Sequence, residues 1–311
     1  MNAEPPVALF IFNRPECTRA VLAALRAARP ARMFVVADGP RSRVAGDAGA
    51  CAAARDVVAR GIDWPCEVRR EFADENLGCA RRVASGLDWV FAQTDAAVIL
   101  EDDCVPDATF LPFCAELLGR YAGDERVWHI GGANFQAEPR PGGYYFSRYN
   151  HVWGWAAWAR SWRRFDWGME DWPDVRDSTW LADLLGDRWA AGYWREAFDA
   201  VAAGRVDSWA YRWIYAMWRG GGLAALPGVN LVRNIGFGPN GTHTTGGDHG
   251  LSRAAAAMRF PLRHPERVER DAAADAHTER TVYSRGAAGA ARRAASRWVR
   301  RWRGGEAEAS R

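Results

Sequence analysis

Residues 96–100 are continuously apolar and run straight into Glu101-Asp102-Asp103. So short and uniform an apolar run predicts a strand covered on both faces, as in a parallel sheet packed between helices. Residues 7–12 repeat the pattern and end in Asn13-Arg14-Pro15; residues 33–37 repeat it again and end in Asp38-Gly39-Pro40. Residues 68–72 read as a further strand. Between them, apolar positions at helical spacing predict helices over 16–28, about 48–60 and 77–91. Strands alternating with helices predict an α/β fold, a Rossmann-like, mostly parallel sheet flanked by helices.

In such a sheet, ligands bind at the carboxyl ends of the strands. Three polar signatures fall there: Asn13-Arg14, Asp38-Gly39 and Glu101-Asp102-Asp103. Adjacent carboxylates on a turn are costly unless solvated or neutralised by a cation. A hard divalent metal, with phosphate oxygens completing its shell, suits them. The plainer alternative is an acidic turn leading into a helix at 110–121, with Asp107 as its cap.

The second half is different in texture. A strand over 127–130 ends in Gly131-Gly132, and the stretch 144–194 is aromatic and irregular. Residues 208–219 predict a helix stopped by Gly220-Gly221-Gly222. Residues 223–232 read as one or two strands, and 234–250 as a loop rich in Gly, Thr, Asn and His. Most of the 17 tryptophans lie after residue 150. Large aromatics belong first to cores, although an exposed tryptophan face also suits the C–H surface of a sugar. Beyond about 265 the chain is rich in Ala and Arg, and 291–303 could form a basic amphipathic helix touching an anionic membrane surface. A disordered tail is the simpler reading.

Bulk properties narrow the classes. The 311 residues are 49% hydrophobic and 25% charged, a globular composition. A net charge of +3 does not point to nucleic acid. Every basic residue other than histidine is arginine, which suits phosphate, though genomic base composition gives the same bias. The six cysteines include no Cys-x-x-Cys pair, against a zinc or redox motif. The apolar start is too short for a signal peptide or membrane span, so a cytoplasmic protein is expected.

Val98-Ile99-Leu100-Glu101-Asp102-Asp103 resembles the Asp-x-Asp region of glycosyltransferases of the GT-A (nucleotide-diphospho-sugar transferase) fold. The variant is the Glu-Asp-Asp of the N-acetylglucosaminyltransferase I type and its bacterial relatives. The resemblance covers most of residues 7–250. It implies that Asp103 ligates Mn²⁺ (or Mg²⁺), that Asp102 lies near the ribose, and that Glu101 faces the donor sugar. Asn13 and Arg14 then fall at the nucleotide, Asp38 at a uracil, and Arg81 and Arg82 on a helix facing the nucleotide. Gly154-Trp155 resembles the segment beneath the donor sugar. Gly241-Thr242-His243 resembles a loop that closes over the diphosphate, with His243, or Asp102, as a further metal ligand.

Val206-Asp207-Ser208-Trp209 resembles the family's Asp-Asp-Trp segment, which carries the catalytic base. This chain has Ser208 at the second position, so the role passes to Asp207, with Asp171 in reserve. Asp207 also reads as the N-cap of the helix that follows. The implied activity is metal-dependent, inverting transfer of a sugar from a nucleotide-diphosphate donor, with a UDP-sugar favoured. The acceptor would be a carbohydrate or lipid-linked glycan, in polysaccharide assembly at the inner membrane surface. A sugar nucleotidyltransferase and a non-enzymatic carbohydrate-binding protein are the alternatives. The expected organisation is one domain over 1–265, with a nucleotide-binding half 1–125 and an acceptor half 126–265, followed by a basic tail over 266–311.

Overall fold

The computed structural model describes residues 4–140, 143–237 and 252–283. Its strands are β1 (Val7–Ile11), β2 (Arg32–Ala37), β3 (Glu67–Phe72), β4 (Ala96–Glu101), β5 (Cys104–Pro106), β6 (Val127–Gly131), β7 (Tyr144–Ser147), β8 (Trp155–Trp158), β9 (Leu223–Pro227) and β10 (Val232–Asn234). Eight of them form one sheet in the order β3-β2-β1-β4-β8-β6-β9-β7, and β5 pairs with β10 in a two-stranded antiparallel ribbon. The helices are α1 (Pro15–Ala28), α2 (Asp47–Gly61), α3 (Cys79–Phe91), α4 (Phe110–Arg120), α5 (Ala159–Trp162), α6 (Trp172–Val175), α7 (Trp180–Leu185), α8 (Arg188–Ala202), α9 (Trp209–Gly220) and α10 (Ala272–Thr278).

β1 pairs in parallel with β2 on one side and with β4 on the other. It is buried along its whole length because both faces are covered. Val7, Leu9 and Ile11 pack with Val21, Leu22 and Leu25 of α1 and Val58 of α2. Ala8 and Phe10 pack with Val83 and Leu87 of α3 and Trp213 of α9. This two-sided burial is what an unbroken apolar run requires. The chain crosses to opposite sides of β1, so the carboxyl ends of β1 and β4 border a crevice at the point where strand order reverses. Their register sets Phe10 opposite Glu101. The residues that follow each strand therefore meet.

Beyond β4 the sheet is mixed. β8 inserts antiparallel between β4 and β6, so the aromatic stretch expected to be irregular contributes both β7 and β8. A third apolar cluster gathers Trp172, Trp194, Phe198, Tyr215 and Trp218 from α6, α8 and α9. Asp187 starts α8 by accepting hydrogen bonds from the backbone N–H of Trp189 and Ala190 at 2.7 and 3.1 Å.

The domain boundary expected at 265 is crossed by contacts. Asp275 of α10 accepts from Ser147 Oγ at 2.6 Å and pairs with Arg148, and Glu279 accepts from Trp194 Nε1 at 2.9 Å. Residues 266–283 thus dock on the body rather than begin a tail, because buried polar partners await them. The expected helix at 291–303 lies outside the described residues. No helix among the described residues is long and apolar enough to cross a membrane.

Candidate functional site

A cleft of about 460 Å³ opens at the carboxyl ends of β1, β2 and β4, facing the start of α9. Its floor is the Glu101-Asp102-Asp103 turn. Arg14, just beyond β1, forms ion pairs with both Asp102 and Asp103, the latter at 2.9 Å. The backbone N–H of Phe12 donates to the other oxygen of Asp102 at 3.1 Å. Asp103 is also crowded by Gly236, where a Cβ would stand 1.9 Å from its Oδ2.

Three carboxylates therefore share one guanidinium. Burial raises Glu101, and repulsion from Asp103 and Asp102 raises it further against the pull of Arg14. Burial raises Asp102 as well, against Arg14. Burial works against the charge of Arg14, but Asp102 and Asp103 outweigh it and hold the guanidinium well above its ordinary value. The cluster is underneutralised, which is the electrostatic condition for binding a further cation.

Asp207 stands across the cleft. Ser208 caps α9, accepting from the N–H of Tyr211 at 3.4 Å. Asp207 is thereby released from the capping role open to it in the sequence. It instead meets the start of α3, with Oδ2 3.4 Å from the N–H of Ala80. Gly78 makes this approach possible: its φ is +83°, and a Cβ there would lie 3.2 Å from Asp207 Oδ2. Cys79 lies between the two acidic groups. Its thiol is pushed up by burial and then by the charges of Glu101 and Asp207.

The remaining expected residues are distributed unevenly. Asp38 lines the cleft, but both of its oxygens are engaged. Oδ1 accepts from the N–H of Gly39 and Leu77 at 2.8 and 2.9 Å, and Oδ2 from Asn76 Nδ2 at 2.9 Å. It holds the 73–78 turn against β2, and burial still leaves its pKa raised. Asn13 turns to Asp47, donating at 2.5 Å. Arg82 reaches the cleft wall with its guanidinium tied to Ala37 O and to Glu71. Arg81 is exposed and lies over the Trp167 ring at 4.7 Å, away from the cleft lining.

Gly154 and Trp155 do not line the cleft. Gly154 has φ +62° and packs against Val232 and Leu100. Trp155 is fully buried, stacked between His129 and Trp209. The cleft wall is formed by Val152 and Trp153 instead. Asp171 is occupied elsewhere, accepting from Tyr215 Oη at 2.5 Å and pairing with Arg219 at 2.6 Å. Gly241, Thr242 and His243 lie outside the described residues. Arg41, Asn76, Cys79, Trp153 and Asn234 line the cleft without having been singled out in the sequence. Only Trp153 carried a signal, its place beside Gly154.

Among the described residues no three His, Cys, Asp or Glu side chains are gathered as a ligand set. Asp102 and Asp103 could offer a metal at most a pair, with phosphate oxygens completing the shell, a pattern usual for Mg²⁺-type ions.

No protein-family model and no curated protein matches this chain. Solved structures that resemble it include the galactosyltransferase LgtC, in complex with donor and acceptor sugar analogues. The identity is 13%, coverage 55% of this chain and 65% of that one, and the TM-score 0.34. A UDP-glucose pyrophosphorylase complexed with UDP-glucose shares 9% identity, with coverage of 43% and 65% and a TM-score of 0.26. A cytidylyltransferase from Leptospira borgpetersenii shares 9%, with coverage of 52% and 63% and a TM-score of 0.32. The chain thus spans somewhat under two thirds of the length of each. At these scores a functional reading rests on the residues of the cleft.

Proposed function

We propose that this chain is a glycosyltransferase that moves a sugar from a nucleotide-diphosphate donor, with a UDP-sugar favoured, to a carbohydrate or glycolipid acceptor. One observation carries the reading: Arg14 and the Glu101-Asp102-Asp103 turn meet at the strand-order reversal, with Asp207 facing them across the cleft. The nucleotide is assigned to the side bounded by Phe12, Arg41, Asp38 and Asn76. Arg41 lies over the Phe12 ring at 5.2 Å, which gives a flat, cationic wall for a base and its ribose.

Asp207 is assigned as the base, because it is the carboxylate of the opposite wall. Its oxygen takes the proton of the acceptor hydroxyl as that hydroxyl's oxygen bonds to the anomeric carbon. The bond from that carbon to the diphosphate breaks, and its electron pair leaves with the nucleoside diphosphate. Attack opposite to departure inverts the centre. Arg14, held between two carboxylates, keeps a positive charge beside the departing phosphates.

The underneutralised cluster fits a divalent cation, Mn²⁺ or Mg²⁺, held by Asp103 with Asp102. Such an ion would supply charge stabilisation to the leaving diphosphate.

Incubation with a panel of nucleotide sugars, with and without Mn²⁺, tests the reading. Release of nucleoside diphosphate with glycosylated acceptor is expected. Pyrophosphate release from nucleoside triphosphate and sugar phosphate would instead make the chain a nucleotidyltransferase. That alternative is disfavoured by Pro15, which starts α1 directly after Arg14 and leaves no glycine-rich loop for a triphosphate.

A further inference from the structure

Beside the cleft lies a second cavity of about 320 Å³, within the usual size range of ligand pockets, about 300–1,000 Å³. Val152, Trp153, Ala210 and Tyr211 belong to the walls of both spaces, so the two are neighbours. Tyr211 lies in the first turn of α9, the helix that begins just after Asp207 and Ser208. Phe135, Trp194 and Tyr283 complete an aromatic lining.

Two polar side chains interrupt that lining. Asn150 and His151 are 5% and 3% exposed. Among the described residues, Asn150 Nδ2 and His151 Nε2 have no hydrogen-bond partner. Buried polar atoms are nearly always paired, so two orphans in the wall of one cavity point to something that occupies it. His151 is neutral: burial pushes its pKa down to about 3, with His129 adding to the effect. A neutral imidazole nitrogen can accept or donate according to its tautomer, and the Asn150 amide nitrogen donates. No Arg, Asp or Glu is among the described lining residues.

We infer that this cavity is the acceptor pocket, and that it takes a neutral pyranose whose C–H face lies on the aromatic wall and whose hydroxyls meet Asn150 and His151. The inference rests on the transferase reading above. An alkyl chain would fill the apolar space but leave both polar atoms unpaired. A uronate or phosphorylated sugar would bury a charge with nothing to pair it. A neutral sugar ring satisfies both conditions. The shared wall then sets that ring beside the cleft that Asp207 lines.

The test measures glycan binding on an array of neutral and anionic glycans, with and without UDP. UDP affinity is followed separately by calorimetry. Neutral glycans should bind, and Asn150→Leu, which keeps the branched outline of the side chain and removes both polar atoms, should weaken them at least tenfold with UDP affinity within twofold. Ile214→Trp, which fills the cavity, should abolish glycan binding in the same way. Preference for anionic glycans overturns the inference. So does binding of octyl but not methyl glycosides, or glycan affinity unchanged in Asn150→Leu. A folded protein that binds UDP but no glycan overturns it too. Neutral-glycan binding without any nucleotide binding removes the acceptor assignment together with the transferase reading, and leaves only a sugar pocket.

Discussion

Nη1 of Arg14 lies 2.9 Å from Oδ2 of Asp103, closing a contact between segments 89 residues apart in the chain. The side chains involved are nearly out of solvent: 17% exposed for Arg14, 12% for Asp103 and 3% for Asp102. The parallel pairing of β1 with β4 makes the meeting obligatory, since both side chains follow directly on the paired strands. Fold and candidate chemistry therefore share one contact, and a change to it should be read in both.

Arg14→Ala should be strongly destabilising. It leaves Asp102 and Asp103 buried without their cation, and removing one partner of a buried ion pair costs about 3–5 kcal/mol. Urea unfolding checks this through the midpoint at constant slope. Asp102→Asn in the Arg14→Ala background should recover part of the loss, because it removes one of the stranded charges. If the double variant is no more stable than Arg14→Ala, the cost has another origin.

Asp207 and Ser208 should separate cleanly. Asp207→Asn keeps the side-chain shape and should lower sugar transfer at least a hundredfold, the low end of a general base's contribution, about 10²–10⁴. Nucleotide affinity should stay within twofold. Ser208→Ala should retain transfer and lose about 1 kcal/mol of stability, the usual worth of an N-cap. Transfer kinetics, nucleotide titration and urea unfolding of the two variants measure all of this. Near-normal transfer by Asp207→Asn would remove it as the base.

The parts of this arrangement legible in the sequence are those encoded locally. The apolar runs of β1 and β4, the polar residues ending them and the helical spacing of α1 and α3 are each written in a few consecutive positions. Partner choice is not. That β8 inserts antiparallel beside β4 depends on long-range pairing, and an aromatic-rich stretch carries no two-residue alternation to announce it. Trp153 and Trp155 look alike in sequence; only the positive φ of Gly154 sends one to the cleft and the other into the core. Nothing near Asp171 in the sequence marks it as engaged, because Tyr215 and Arg219, which hold it, are 44 and 48 residues away. The docking of α10 turns on Asp275 finding Ser147, 128 residues away.

Gly236→Ala should perturb the cluster without touching a charge. The added Cβ would stand 1.9 Å from Asp103 Oδ2 and 2.8 Å from Arg14 Nη1, too close to either, so the ion pair must shift. Overpacking of this kind costs about 1–3 kcal/mol. Nucleotide affinity should fall with it, because the displaced groups form the cleft floor. Gly46→Ala is the control: its site is open, although its φ of +80° adds backbone strain. It should lose some stability and leave nucleotide affinity unchanged.

Two histidines of the core should each withdraw stability on mild acidification. Nε2 of His129 lies 3.1 Å from the carbonyl oxygen of His151, and Trp213 Nε1 donates to its Nδ1 at 3.4 Å. That pattern requires a neutral ring with its proton on Nε2. Burial pushes both His129 and His151 down to about 3, whereas the unfolded value is about 6.5. Below pH 6.5 the unfolded chain binds protons that the folded one refuses, so each histidine removes about 1.4 kcal/mol per pH unit until its folded value is reached. Each contribution is complete above pH 6.5 and is reduced by about 2 kcal/mol at pH 5. Glu101 and Asp102, whose values are raised, act in the opposite direction over the same range. The readout is therefore a difference: the stability lost between pH 7 and pH 5 by the wild type, less that lost by His129→Gln. Glutamine places a neutral amide near the same partners and cannot titrate, so the variant should lose about 2 kcal/mol less across that interval. Equal losses would mean that His129 takes up its proton in the folded protein at the same pH as in the unfolded one, so that neither burial nor the Trp213 contact holds its ring neutral.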